Sequence, residues 1–178
     1  MKLSKKSEYG LRAMIELTQD FGQGAVQRKA LADRQNIPLG FLETILLSLK
    51  NAGLIGSRRG VHGGVFLIKS PREVTLGQII RILDGPLAPI GCVSQTAYQK
   101  CVDCPHAATV TCPIQRIMLD VRNAIASILD HYSLEDFVSA GRVPTSNLPK
   151  RKGPTVRGRS LKGSKQLLRS GASSKKRS

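Results

Sequence analysis

The residues best suited to chemistry are four cysteines that fall within one stretch of the sequence. Cys92, Cys101, Cys104 and Cys112 are separated by eight, two and seven residues. Thiolates are soft ligands that favour zinc or iron–sulfur clusters, and the CxxC pair of Cys101 and Cys104 can place two sulfurs on one ion. Structural zinc sites often use two short CxxC knuckles, whereas only one is present here. The spacing therefore predicts a metal or cluster site and leaves zinc and iron–sulfur both open.

Other reactive groups are sparse. His106 lies beside a proline in a polar loop, where a histidine is more often exposed than bound to a metal. A Cys–His nucleophilic enzyme would need a third, orienting group, and the sequence marks none. No P-loop, GxSxG or HExxH motif is present either. These observations predict that the protein is not an enzyme.

The first part of the sequence predicts three short helices. Apolar residues recur at helical spacing from Ser4 until Gly22, then over residues 28–35, and again over residues 39 to about 52. Between the second and third helices lies a turn of Asn36, Ile37 and Pro38, in which asparagine suits a left-handed conformation. Helix, tight turn and helix form the helix-turn-helix pattern.

A β-hairpin is predicted directly after the third helix. Two short apolar runs, residues 54–57 and 65–68, flank a glycine-rich loop that carries Arg58 and Arg59. Glycine lets the backbone approach a groove or a phosphate closely, and the two guanidinium groups supply positive charge beside it. Three small helices followed by such a hairpin predict a winged helix.

Two further helices follow. One begins after Thr75 and ends before Gly85, and a longer one begins at Pro113, where a missing N–H costs nothing. The long helix carries a wide apolar stripe, made of Ile114, Ile117, Met118, Val121, Ala124, Ile125, Ile128 and Leu129. Because one winged helix has little surface left to cover this stripe, we expect it to pack against the same helix of a second copy in a two-fold homodimer.

The charge of the protein points to a polyanionic partner. The 178 residues include 28 Lys and Arg against 12 Asp and Glu, a net charge of +16, and the pI is about 10.3. Twelve of the basic residues and none of the acidic ones follow Gly141, among prolines, glycines and serines. This composition predicts a disordered basic tail that clamps phosphates without reading sequence.

The expected organisation is a mostly α fold with a small β-wing. It comprises a winged helix-turn-helix domain over residues 1–85, a cysteine-rich loop over 86–112, a dimerisation helix with a short C-terminal helix over 113–141, and the tail over 142–178. No run approaches the roughly 20 apolar residues of a membrane span. Glu8, Arg12 and Glu16 interrupt any signal-peptide core. We therefore expect a cytoplasmic, nucleoid-associated protein with no membrane partner.

Three stretches form a recognisable pattern: MKLS with YGLRA at positions 1–4 and 9–13, IP with FLE at 37–38 and 41–43, and AGL, RG and GG between 52 and 64. With the cysteine loop, the long helix and SLEDF at 133–137, they resemble the Rrf2 family of bacterial transcription regulators over about residues 1–140. The resemblance implies a dimer that binds DNA. In several members it also implies a [2Fe–2S] or [4Fe–4S] cluster that senses iron, nitric oxide or redox state.

The resemblance also implies a ligand set. Cluster-binding members usually use three cysteines, and in some the fourth ligand is a histidine three positions after the last one, where this sequence has Gln115. Cys92 and Cys112 carry over most directly, and Cys101 and Cys104 compete for the remaining position. The extra cysteine could complete a four-thiolate set, as could Glu8, where some members use an acidic residue from the second subunit.

In a winged helix the third helix enters the major groove of DNA and its first turn reads bases. Glu43 can accept a hydrogen bond from cytosine, and Arg59 on the wing is expected to enter a minor groove. The full set of predicted DNA contacts is Lys2, Lys5, Lys6, Arg28, Lys29, Leu39, Gly40, Phe41, Glu43, Thr44, Arg58, Arg59, Gly60, His62, Gly63 and Gly64.

The leading interpretation is a DNA-binding transcription regulator, most simply a repressor of a palindromic operator, controlled by an iron–sulfur cluster. The first alternative keeps the same fold but has structural zinc or a cysteine thiol switch. The second, from another class, is an architectural nucleic-acid-binding protein in which the basic tail dominates.

Overall fold

A computed structural model describes residues 2–102 and 112–140 of the chain. The predicted disordered tail, like Cys104 and His106, lies outside these residues. In chain order the helices are α1 (Lys5–Gln19), α2 (Arg28–Gln35), α3 (Leu39–Asn51), α4 (Leu76–Asp84), α5 (Pro113–His131) and α6 (Leu134–Ala140). Strands β1 (Ile55–Arg58) and β2 (Gly64–Leu67) lie between α3 and α4. The mostly helical fold with a small two-stranded wing is confirmed.

Local signals set the helix boundaries. Ser4 caps α1, its hydroxyl accepting a hydrogen bond from the Ser7 amide at 3.2 Å, and Thr75 caps α4 in the same way. Helix α2 ends at Asn36, which adopts the left-handed conformation with φ 49°. Pro113 occupies the first turn of α5.

The wing is an antiparallel hairpin in which Ile55 pairs with Leu67 and Arg58 with Gly64. A contact that the sequence did not predict extends it, because the Val26 and Val65 amides exchange hydrogen bonds of 2.9 and 2.8 Å with the opposite carbonyls. The segment before α2 is thereby tied to the wing.

One apolar core holds the winged helix together. Met14, Leu31, Ile45 and Ile79, from four different helices, are each fully buried in it. Leu134 of α6 is also fully buried, so the short C-terminal helix is part of the same core. Within the described residues, no helix is long and apolar enough to span a membrane.

Helix α5 differs from the others because it has no buried residue. The predicted stripe divides into two parts. Met118, Ile125 and Leu129 are half-buried toward their own chain, whereas the other members of the stripe stay exposed. Ile114, for example, is 63% exposed and Ile117 is 60% exposed.

Candidate nucleic-acid interface and cysteine segment

A groove of about 800 Å³ runs between α3, the start of α2 and the wing. Its lining includes nine of the predicted DNA contacts, namely Arg28, Lys29, Leu39, Glu43, Arg58, Arg59, Gly60, Gly63 and Gly64. Five cationic side chains line it, counting Lys50, against the single carboxylate of Glu43. The groove is therefore positively charged and suits a polyanion such as the DNA backbone.

Two glycines shape the wing beside this groove. Gly60 has φ +106°, a conformation that other residues rarely adopt, and its carbonyl accepts a hydrogen bond from the Gly63 amide at 2.9 Å. At Gly64, a Cβ would lie 2.1 Å from the Val26 carbonyl oxygen. The wing therefore depends on glycine both for its turn and for its contact with the segment before α2.

Glu43 is held by a neighbour from another helix. The Arg28 guanidinium lies 3.6 Å from the Glu43 carboxylate, and both side chains are about half exposed. This ion pair bridges the start of α2 and the predicted recognition helix α3. Glu43 is thus kept at the groove surface by a cation that can also meet phosphate.

The remaining predicted contacts do not line the groove. Phe41 is 41% exposed but packs edge-on against Tyr9, with ring centroids 5.7 Å apart. The Thr44 hydroxyl donates to the Gly40 carbonyl at 3.2 Å, which occupies its proton within α3. Five more of the predicted DNA contacts also lie outside the groove lining, namely Lys2, Lys5, Lys6, Gly40 and His62.

Sequence reasoning missed three polar residues of the groove. Lys50 donates to the Ser57 hydroxyl at 2.7 Å and joins α3 to β1, and Gln27 donates to the Val61 carbonyl at 3.2 Å. Lys50 follows Glu43 by seven residues, so helical periodicity could have placed both on one face. No comparable local signal marks Gln27.

The segment around Cys92 packs against the start of α5. Cys92 lies in a short 3₁₀ turn, Gly91–Val93, and Cys112 is the N-cap residue of α5. The Gln115 side-chain amide donates to the Cys92 carbonyl at 3.1 Å. The two half-buried thiols are therefore on contacting segments, and neither is in a disulfide.

The described residues supply only part of a metal site. Two cysteines on contacting segments suit a soft metal, but within residues 2–102 and 112–140 no three His, Cys, Asp or Glu side chains come together. Cys101 is exposed, and Cys104 is outside the described part. A cluster or zinc ion would take Cys92 and Cys112 and require Cys101, Cys104 or a second subunit for the rest.

Gln115 and Glu8, two residues considered with the ligand set, form hydrogen bonds within the chain. Gln115, three positions after Cys112, holds the Cys92 segment through its amide. Lys5 donates to the Glu8 carboxylate at 2.7 Å, and this hydrogen bond lowers the pKa of Glu8. The Glu8 carboxylate is thus paired on its own helix.

Helix α5 is linked firmly to the winged helix at its other end. Arg81 of α4 donates two hydrogen bonds, of 2.5 and 2.8 Å, to Asp130 of α5, and they lower the pKa of that carboxyl. The Leu76 amide donates to the Tyr132 carbonyl at 3.0 Å. The segment around Cys92 and the core thus contact opposite ends of one helix.

Comparisons with known proteins agree with this geometry. A family model described as Rrf2, iron-dependent transcriptional regulator, matches residues 3–140. The chain is 37% identical over 142 residues to a putative Rrf2-like helix-turn-helix regulator of Rhodobacter capsulatus, covering 78% of this chain and 93% of that protein. It is 34% identical over 139 residues to the regulator CymR of Bacillus subtilis, covering 78% and 91%.

Solved structures show the same fold. The structure of CymR, the global cysteine regulator of B. subtilis, superposes with a TM-score of 0.64 at 34% identity and covers 79% of this chain and 98% of that one. The T. potens IscR structure superposes with a TM-score of 0.62 at 28% identity, covering 85% and 94%.

Proposed function

The chain belongs to the Rrf2 family of transcriptional regulators, and from that premise we propose that it is a homodimeric repressor of a palindromic operator whose DNA binding responds to its cysteine segment. It is a regulator and not an enzyme. We place its action in the cytoplasm, at the nucleoid. The observation that carries the proposal is the basic groove between α3, the start of α2 and the wing.

The groove supports specific DNA binding because it joins phosphate-binding and base-reading groups. Arg28, Lys29 and Lys50 can neutralise phosphates along its sides, while Glu43 discriminates by accepting from cytosine and repelling phosphates elsewhere. Arg59 on the wing suits a minor groove, where it adds shape readout.

The exposed part of the α5 stripe supports the homodimer. Its residues recur at alternating steps of three and four, which is the a and d spacing of a coiled-coil seam. They are Ile114, Ile117, Val121, Ala124 and Ile128. A second copy would cover this seam and set the distance between two recognition helices, which must match half-sites about one DNA turn apart.

For the cysteine segment, we propose an iron–sulfur cluster, [2Fe–2S] or [4Fe–4S], with Cys92 and Cys112 as two of its ligands. The contact of their segments at the start of α5 supports this choice. When bound, the cluster supplies a redox-sensitive link between this segment and α5. Structural zinc, or reversible oxidation of the thiols, is the second possibility for the same residues.

Metal analysis of anaerobically purified protein tests the cluster. We expect iron and acid-labile sulfide, with visible absorption that is lost in Cys92→Ser and Cys112→Ser. If zinc alone is found, the site is structural zinc and not a cluster. If no metal is found and oxidation changes the DNA affinity, the cysteines act as a thiol switch. Equal DNA affinity with and without the metal would contradict the coupling.

Selection from a pool of random double-stranded DNA tests the DNA-binding proposal. We expect inverted repeats with half-sites about one helical turn apart, bound at least a thousandfold more tightly than random DNA. Absence of an enriched sequence, with equal affinity for all DNA, would instead support the architectural alternative.

A further inference from the structure

A small cavity separates α4, the segment after Cys92 and α5. It measures about 30 Å³, and its lining includes Arg81, Leu87, Ser94, Thr96, Arg122 and Ala126. It shares no lining residue with the basic groove between α3, the start of α2 and the wing. Two arginines, and no Asp or Glu, line it.

Arg122 is the unusual member of this lining. Its Nε atom is buried and donates no hydrogen bond, and the guanidinium forms no ion pair with any of the described residues. Buried N–H groups in folded proteins are almost always paired, and a charged donor most of all. No acceptor for this N–H is therefore found in the part of the chain that the structure describes.

The neighbouring charges leave the cavity positive. Arg81 is matched by Asp130, to which it donates two hydrogen bonds. Among the described residues, Arg122 has no such carboxylate partner.

Ser94 provides a second donor. It is only 8% exposed, and its oxygen accepts a hydrogen bond from the Ala97 amide at 3.0 Å. Its hydroxyl proton, like the Arg122 Nε–H, donates to none of the described residues. Leu87 and Ala126 supply apolar walls.

We propose that this cavity binds one small oxyanion of carboxylate size, held by Arg122 and Ser94. The volume of about 30 Å³ admits a group of a few atoms. Because Ser94 follows Cys92 by two residues, the bound anion ties the cysteine segment to the middle of α5. This inference does not depend on the DNA-binding proposal.

Titration of the full chain with sodium formate tests the site. Each addition of formate replaces an equal amount of the sodium salt of a bulky sulfonate, so that the ionic strength stays constant. The readout is the ¹⁵N-detected Nε–H resonance of Arg122, assigned by its disappearance in Arg122→Lys. We expect a saturable shift of this resonance. The matched control is Arg116, exposed on the same helix and outside the cavity, which we expect to stay unchanged.

Two further readouts distinguish a built site from general salt effects. Formate binding measured by calorimetry should be lost in Arg122→Lys, and Ser94→Ala should weaken formate binding several-fold. A shift that is linear in formate, or equal at Arg116 and Arg122, would mean an adventitious ion only and would overturn the proposal.

Discussion

Arg59 is the single residue on which the wing assignment depends most. It lies at the exposed tip of the hairpin and lines the basic groove. Arg59→Ala should weaken binding to the selected operator by more than tenfold at fixed salt, because an arginine in a narrow minor groove loses both its charge and its shape contact. Fluorescence anisotropy measures this, with Arg116→Ala as the control that should change affinity less than twofold. Unchanged affinity for Arg59→Ala would remove the wing from the interface.

Gly64 tests the wing from the side of stability. A methyl group there would meet the Val26 carbonyl oxygen at 2.1 Å, and this clash is with backbone that is itself hydrogen-bonded to β2. Gly64→Ala should lower the free energy of unfolding by about 1–3 kcal/mol, the usual range for overpacking.

The control for Gly64 is Gly40→Ala in α3. A Cβ at Gly40 meets no atom within 4 Å, so alanine should raise stability slightly by removing the flexibility of glycine in a helix. Urea unfolding measures both variants. Equal effects of the two substitutions would contradict the packing of Val26 against the wing.

At the scale of elements, α5 has two faces that differ in their contacts. One is fixed to the winged helix by Asp130, and the other carries the exposed seam that includes Ile117. If the proposed homodimer forms through this seam, Ile117→Asp should convert it into a monomer, because a carboxylate in an apolar seam loses its hydration. Analytical ultracentrifugation should then show the chain mass of 19.3 kDa instead of twice that value.

Asn123→Asp is the matched control for the seam, since it adds the same charge to an exposed position of α5 outside the repeat. It should stay dimeric. A natural protein that is monomeric at micromolar concentration would contradict the seam itself.

At the scale of the whole molecule, the charge is divided unequally along the chain. Twelve of the 28 basic residues follow Gly141, so the first 141 residues hold 16 basic against 12 acidic side chains. Removing residues 142–178 should reduce affinity for random DNA. It should also flatten the plot of log affinity against log salt, by about 0.9 in slope for each phosphate that the tail neutralises in the full chain. Preference for the operator over random DNA should survive, because the groove lies in the part that remains.

The truncated chain still contains residues 3–140, over which the family model matches, and we expect it to fold. Filter binding across a salt series compares it with the full chain. A loss of operator preference together with the tail would support the architectural alternative instead.

Much of the fold could be predicted because its signals are local. Ser4, Asn36, Thr75 and Pro113 mark helix ends through their own hydroxyl groups and backbone angles, which depend on a few neighbouring residues. The sequence alone also located the wing, from its glycines and arginines.

The contacts between distant segments required the tertiary structure. Packing decided that Phe41 leans on Tyr9, that Lys50 joins the groove, and that Gln115 holds the Cys92 segment. It also decided which side of α5 faces its own chain and which stays exposed. The physical reason is that helix caps and hydrophobic periodicity depend on residues close together in the sequence. These contacts instead join distant segments, which only the folded core brings together.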